Sequence, residues 1–347
     1  MICKNDSVMQ SVCVENGLPV KCLPLVGEFD LYSGYMVARA VKSPLPPFKK
    51  GGDKVGFKKV GSMILHLHTA HAVSIGLIAK FFHRNIRLIA IRRVDFSIKR
   101  RSLIKYNHKF LDSVVCISKN IYNVVLKNGV IPNKLRIIHS GVDTNRFTTN
   151  TEGNDFRHDI LTKYSIPKDH TIIGTIAALV DHKDYPTLLK AAKIVIKTLD
   201  NVTFVAIGEG DKKESILKIH DDLKLGDGFI FLGFEKDIKK YLHGIDIFVL
   251  ASKEEGLGTS ILDAMSAQKP IVACNGGGIP EMVKHDINGL LAEKENPEDL
   301  AEKLIKMIND MHLRERLSKQ AVIDVQEFDI KNTVKKYLQI YSDKSWR

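Results

Sequence analysis

Residues 252–280 read SKEEGLGTSILDAMSAQKPIVACNGGGIP. Immediately before them, residues 246–251 (DIFVLA) are an apolar run of strand length. Glu254 and Glu255, followed by Gly256-Leu257-Gly258, make a tight acidic turn. Thr259 or Ser260 then opens a helix, and Ser260 with Asp263 has the spacing of a capping box. Ile261, Leu262 and Met265 supply its apolar face, and Pro270 ends it. Pro270 to Cys274 reads as a short buried strand, and Gly276-Gly277-Gly278 turns the chain into a further helix with Pro280 at its start.

Two glycine turns thus feed two helix N-termini, each after a strand of parallel type. Such N-termini present free N–H groups and a positive dipole end to an anion. Glu255 and Asp263 lie beside them. Carboxylates next to an anion site are repulsive unless they bind hydroxyls. A nucleotide sugar, with both phosphates and hydroxyls, satisfies both demands. The plainer reading is ordinary α/β packing, with Asp263 a cap and the glycines turns.

The stretch as a whole resembles the signature of glycosyltransferase family 4 (retaining, GT-B fold; glycosyl transferases group 1). In that family an EGFG loop leads into a helix with a second glutamate eight residues after the first. Here the two acids are Glu255 and Asp263, the second one methylene shorter than usual. The resemblance implies that Glu255 contacts the donor sugar. It implies that Gly256, Leu257, Gly258, Thr259 and Ser260 offer main-chain amides to sugar and phosphate, and that Asp263 holds the ribose. It also implies two Rossmann-like α/β domains facing a cleft, the GT-B type.

Composition sets the frame. At 347 residues and 44% apolar content, two domains with well-built cores are expected. Residues 1–150 hold 24 Lys+Arg against 8 Asp+Glu, net +16, while 151–347 hold 28 against 32. The basic half suits an anionic lipid surface or an anionic acceptor. No nucleic-acid motif accompanies it, so no nucleic-acid partner is expected. Five scattered cysteines without metal spacing read as reduced thiols of a cytosol-like compartment. No apolar run reaches membrane-span length, and Met1 to Gln10 lacks a signal-peptide core. The expected location is cytoplasmic, with peripheral contact at the inner face of the plasma membrane.

Along the chain, residues 1–30 show no buried first strand with a glycine turn; Val20 to Leu25 reads as a strand and Asp30 to Val41 as a helix. Family members carry a strand and a Gly-Gly loop ahead of this point, so the chain is expected to start late. Residues 43–61, rich in Pro, Gly and Lys, read as an inserted, disordered loop. Met63 to Leu67 is a strand running into His66-Leu67-His68-Thr69-Ala70-His71, followed by a helix over Ala72 to Phe82. His66 and His68 share a side by strand alternation, but no further ligand completes a metal site. The family has an HxH here whose second histidine faces the donor sugar, which points to His68; a merely structural His68 is the alternative. Arg92 and Arg93 end the next strand and begin a basic run to Lys105, a solvated face or a contact for an anionic acceptor. Ser140-Gly141-Val142-Asp143 with Arg146-Phe147 resembles the family's domain junction.

In the second half the family grips the donor diphosphate with an arginine and a lysine five apart. This chain has Ala178 and Lys183 there. Gly208-Glu209-Gly210 is a turn, and Gly233-Phe234 lies where the family seats the base; Phe234 is a base neighbour or a core residue. Helices over 298–310 and 330–342 close the chain. The expected domains are 1–147 on the acceptor side, 148–329 for the donor, and 330–347 as a helix packing back on the first.

The resemblance therefore implies a retaining, metal-independent glycosyltransferase. It needs no cofactor and moves a sugar from a nucleoside-diphosphate sugar to a saccharide or glycolipid hydroxyl in cell-envelope synthesis. His68, Glu255 and Lys183 would be the catalytic residues. The alternative is a non-catalytic nucleotide-sugar binder or decayed homologue, for which Ala178 and Asp263 speak. An epimerase would need a further acid/base set in the first domain, and a phosphorylase a cofactor lysine in a longer chain.

Overall fold

The computed structural model describes residues 2–4, 21–23, 30–42, 49–50, 53–54, 63–147 and 153–343. The chain divides into two compact units. One comprises Met1–Ile117, Tyr122–Ile137 and Tyr341–Arg347; the other comprises Ser118–Ile121 and Ile138–Ile340.

In the first unit β1 (Ile2–Lys4) pairs in parallel with β2 (Lys21–Leu23). The sequence reading expected only the second of these. Helix α1 (Leu31–Lys42) follows, its start held by Asp30, which accepts the Ser33 amide at 3.0 Å. Most of the 43–61 segment lies outside the described residues, but β3 (Lys49–Lys50) and β4 (Asp53–Lys54) within it form an antiparallel ladder. A four-stranded parallel sheet then runs in the order β5 (Met63–Leu67), β6 (Ile86–Arg92), β7 (Ser113–Cys116), β8 (Leu135–Ile137). Its crossovers are α2 (Ala70–Phe82), α3 (Arg100–Asn107) and α4 (Lys119–Lys127). The last turn of the chain joins this unit: Arg87 donates to the Tyr341 carbonyl at 2.8 Å, and the Tyr341 hydroxyl meets His66 Nε2 at 2.5 Å.

The second unit begins with α5 (Gly153–Lys163) and β9 (Thr171–Ile176). There follow α6 (Tyr185–Thr198), β10 (Val202–Ile207), α7 (Lys213–Asp222), β11 (Phe229–Gly233), α8 (Ile238–Gly244) and β12 (Ile247–Leu250). Then come α9 (Thr259–Ser266), β13 (Ile271–Cys274), α10 (Ile279–Met282) and β14 (Leu290–Ala292). Every residue of β10, β12 and β13 is buried, as strands covered by helices on both faces require. All six strands are parallel, ordered β11-β10-β9-β12-β13-β14. The chain thus lays strands outward on one side of β9 and then returns to lay them on the other. The strand order reverses between β9 and β12, and in such sheets the crevice outside the carboxyl ends of the two strands at the switch is where ligands bind.

Three helices end the unit: α11 (Pro297–Asn309), α12 (Met311–Asp324) and α13 (Ile330–Ser342). The sequence reading did not anticipate α12. Its buried stripe is short, Leu313, Leu317 and Ala321, set in a charged sequence and capped by Asp310 accepting the Leu313 amide at 2.8 Å.

Candidate functional site

The crevice between β9 and β12 is built from two loops tied together, with the Lys253 amide donating to the His182 carbonyl at 3.1 Å. After β9, Asp181–Lys183 form one 3₁₀ turn. Asp184 follows in a left-handed conformation (φ 50°, ψ 50°) and caps α6. That kink delivers Lys183 to Glu255, whose Oε1 accepts the Lys183 ammonium. The Ser252 hydroxyl donates to the same Oε1 at 2.9 Å. Glu255 is only 8% exposed, and these two partners offset the cost of burying its carboxylate.

Gly258 adopts φ +89° and precedes α9, and no side chain caps that helix. The capping box expected from Ser260 and Asp263 is therefore absent. Thr259 is the first helical residue, which puts Ser260 inside the helix rather than at its cap. The Ile261 amide donates to the Gly258 carbonyl at 2.9 Å, and the Thr259 and Ser260 amides ahead of it are the donors that a helix start leaves available to an anion. Asp263 sits further along α9, half-buried; burial pushes its carboxyl up to about 6 against the opposing pull of Arg146.

The triglycine turn has a different role from the one its sequence suggested. A Cβ on Gly276 would lie 2.4 Å from the Ser252 carbonyl oxygen, and one on Gly277 would lie 2.2 Å from that of Glu255. The Gly278 amide donates to the Glu255 carbonyl at 2.8 Å. α10 is one turn long; the amide of its cap residue Gly278 is spent on the Glu255 loop, and that of Ile279 on the Gly276 carbonyl at 3.1 Å. The glycines are absent side chains that let one main chain lie against another, and they brace Glu255 rather than open a second anion site. Gly208 and Gly210 do the same against Ala177 and Leu179, with would-be Cβ contacts of 2.1 and 2.2 Å. Phe234 is 75% exposed after β11, which removes the core reading for it. Ala178 is exposed.

The structure thus brings Lys183 and Glu255 into contact, with Asp263 on the helix that follows the Glu255 loop. His68, Arg92 and Arg93 belong to the other unit. His68 is exposed just past β5, 6.1 Å from the His66 ring centroid; partial burial and then Arg93 hold its imidazole below its ordinary value. Arg93 is exposed, and Arg92 donates to the Phe96 carbonyl. A cavity of about 260 Å³ borders His68, lined by Val37, Leu65, His71 and Ile75 among others. Among the described residues, no three His, Cys, Asp or Glu side chains gather as a metal site. No described helix is long and apolar enough to cross a membrane.

Sequence reasoning missed Ser252 and Glu281. The Glu281 carboxylate accepts the Lys119 and Asn120 amides at 2.7 and 2.8 Å and meets His139 Nε2 at 3.0 Å. Burial alone would push this carboxyl up; the His139 ring and the two amides bring it below the usual carboxylate range. Nothing in GGGIPE announces partners more than a hundred residues upstream.

Two α/β units, each on a parallel sheet, with the crevice loops just described, are the GT-B glycosyltransferase architecture. The chain superimposes on the Anabaena protein HepE, solved in complex with UDP and glucose, with a TM-score of 0.83 and 20% identity, covering 99% of this chain and 91% of that one. A glycosyltransferase from Rickettsia africae gives 0.79 at 20% identity, over 96% and 87%. Residues 156–323 match the family Glycosyl transferases group 1, and residues 56–146 match Glycosyltransferase Family 4. The chain belongs to the group 1, family 4 glycosyltransferases. Among its relatives, an uncharacterized glycosyltransferase of Methanocaldococcus jannaschii is 29% identical over 72% of this chain. The N,N'-diacetylbacillosaminyl-diphospho-undecaprenol alpha-1,3-N-acetylgalactosaminyltransferase of Campylobacter jejuni is 28% identical over 69%. These matches span 64% and 62% of the relatives' own lengths, less than two thirds of each. The N-acetyl-alpha-D-glucosaminyl L-malate synthase of Bacillus anthracis is 24% identical over 81% of this chain and 74% of its own.

Proposed function

We propose that this protein transfers a sugar, with retention at the anomeric carbon, from a nucleoside-diphosphate sugar to an acceptor hydroxyl in cell-surface polysaccharide, lipopolysaccharide or glycolipid synthesis. The observation that supports this most is the meeting of the Lys183–Glu255 pair with the uncapped start of α9 at one sheet crevice. Such a site offers fixed positive potential to a leaving diphosphate and a fixed carboxylate to sugar hydroxyls.

In this reading the donor diphosphate lies against the amides of Gly256 to Ser260 and the Lys183 ammonium. Glu255 orients the transferred sugar, Asp263 accepts from the ribose hydroxyls, and Phe234 lies along the base. His68, as a neutral imidazole, holds a sugar hydroxyl. The acceptor oxygen attacks the anomeric carbon on the face the diphosphate leaves. The carbon–oxygen bond to phosphate breaks with its electron pair, and the acceptor proton passes to the departing phosphate oxygen. No strong protein nucleophile is required, and we assign the reaction no metal. Arg92 and Arg93 are assigned to an anionic acceptor. The undecaprenol-linked acceptor named for the Campylobacter relative is of that kind. The net +16 of residues 1–150 suits peripheral contact with an anionic membrane.

Calorimetry of UDP, GDP and ADP with their sugars, followed by transfer of a labelled sugar, tests the reading. We expect one nucleotide series to bind, and Glu255→Gln to lower turnover on the order of a hundredfold while leaving free nucleotide binding nearly intact. Absence of binding to all three series, or full turnover by the variant, would overturn it.

A further inference from the structure

The Glu255 carboxylate is held asymmetrically. The Lys183 ammonium and the Ser252 hydroxyl both donate to Oε1. Among the described residues no donor reaches Oε2, and Oε2 is not among the buried polar atoms that lack a partner. One oxygen is therefore pinned and the other faces outward. The terminal torsion of a glutamate is soft and roughly two-fold, so a carboxylate with a single cationic partner swings between orientations. Two donors converging on one oxygen from different loops suppress that swing. Ser252 suits this task because it cannot move: it is fully buried, and its carbonyl is packed against the Cα of Gly276. Its hydroxyl makes no other hydrogen bond among the described residues.

We propose that Ser252 is a positioning residue, fixing the Glu255 carboxylate so that Oε2 is the oxygen presented to the transferred sugar. The proposal rests on the reading of Glu255 as the sugar-orienting acid. It assigns to Ser252 an effect on sugar recognition but none on the nucleotide, because phosphate and ribose contacts lie elsewhere.

The test is the ratio of affinities for a nucleotide sugar and its parent nucleotide. Calorimetry is run on the full chain with UDP-glucose, UDP-N-acetylglucosamine, GDP-mannose and ADP-glucose, each beside its nucleoside diphosphate. The variants are Ser252→Ala, Ser252→Cys and Glu255→Gln. The cysteine is close in size and a weak donor, and stands in if the alanine variant does not fold. We expect both Ser252 variants to bind the parent nucleotide as wild type does and to lose about tenfold in affinity for the nucleotide sugar, the scale of one charge-assisted hydrogen bond. Glu255→Gln should move the ratio in the same direction. If Glu255→Gln moves it and neither Ser252 variant does, the Ser252 assignment is wrong and the reading of Glu255 stands. Equal losses on sugar and parent nucleotide in the Ser252 variants mean a general structural role and likewise overturn it. If Glu255→Gln leaves the ratio unchanged, the reading of Glu255 fails and takes the Ser252 proposal with it.

Discussion

Gly277 lies against Glu255 so closely that a Cβ there would stand 2.2 Å from the Glu255 carbonyl oxygen and 2.5 Å from its amide nitrogen. The φ of Gly277 is +56°, so an alanine would carry left-handed strain as well as collide with main chain. Gly277→Ala is expected to cost about 2–4 kcal/mol of stability, as strain and overpacking combine. Thermal unfolding of the two proteins checks this, and an unchanged melting temperature would mean the two loops are not in register.

Asp263 gives a pH dependence with a definite sign. Its folded carboxyl is raised to about 6, above its unfolded value, so the folded state binds the extra proton between those values. Stability linked to Asp263 therefore increases as pH falls through 6. With Asp263 on the ribose as proposed, nucleotide affinity should do the opposite, because the ionised carboxylate would be the form that accepts from both hydroxyls. Calorimetry from pH 8 to pH 5 should show affinity dropping near 6 in wild type and a flatter profile in Asp263→Asn.

Ala178→Arg should restore the cation that the family carries. Ala178 is exposed at the end of β9, in the loop that leads to Lys183. A charge-assisted contact to phosphate is worth about 1.5–3 kcal/mol, or roughly tenfold to a hundredfold in donor affinity. Unchanged or weaker binding would show that the diphosphate does not pass this position.

Glu281→Gln keeps the shape of the side chain and removes its charge from two amides and His139. A loss on the order of 1–3 kcal/mol is expected at neutral pH. Because the Glu281 carboxyl is held below its unfolded value, the stability it contributes is present above that value and lost as pH falls through the folded one. Wild type and variant should therefore converge in acid, which denaturant titrations at pH 7 and at acid pH will show or refute.

The basic half should bind vesicles containing anionic phospholipid, and far less those of neutral phosphatidylcholine. Exposed aromatics near the α1–α2 contact, Tyr32, Phe81 and Phe82, give the same unit an apolar surface. Binding should weaken steeply with salt, since exposed charges are screened over about 10 Å at 0.1 M. Equal partition onto both vesicle types would remove the assignment.

Much of the fold was legible because its strands are short apolar runs bounded by glycine or proline: Met63–Leu67 and Ile271–Cys274 fall where the residues put them. The Lys183–Glu255 meeting was not legible. It depends on strand order, which places β12 beside β9 although β10 and β11 intervene in sequence. The triglycine turn was misread for a related reason. A glycine needed for backbone conformation and one needed for a neighbour's backbone look alike until that neighbour is placed. Ser252 and Glu281 act only through partners brought to them by tertiary structure, and so left no local pattern.

The pairing of Tyr341 with His66 and Arg87 bears on synthesis at the ribosome. Domains commonly settle in the order in which they emerge. Here the first sheet to emerge lacks these contacts until residue 341 has been made. Nascent chains stalled before residue 330 should therefore leave this sheet more open to protease than chains in which residue 341 has cleared the ribosome. A late-closing first unit is also a standing target for chaperones, even in a protein whose second sheet is complete within one continuous stretch.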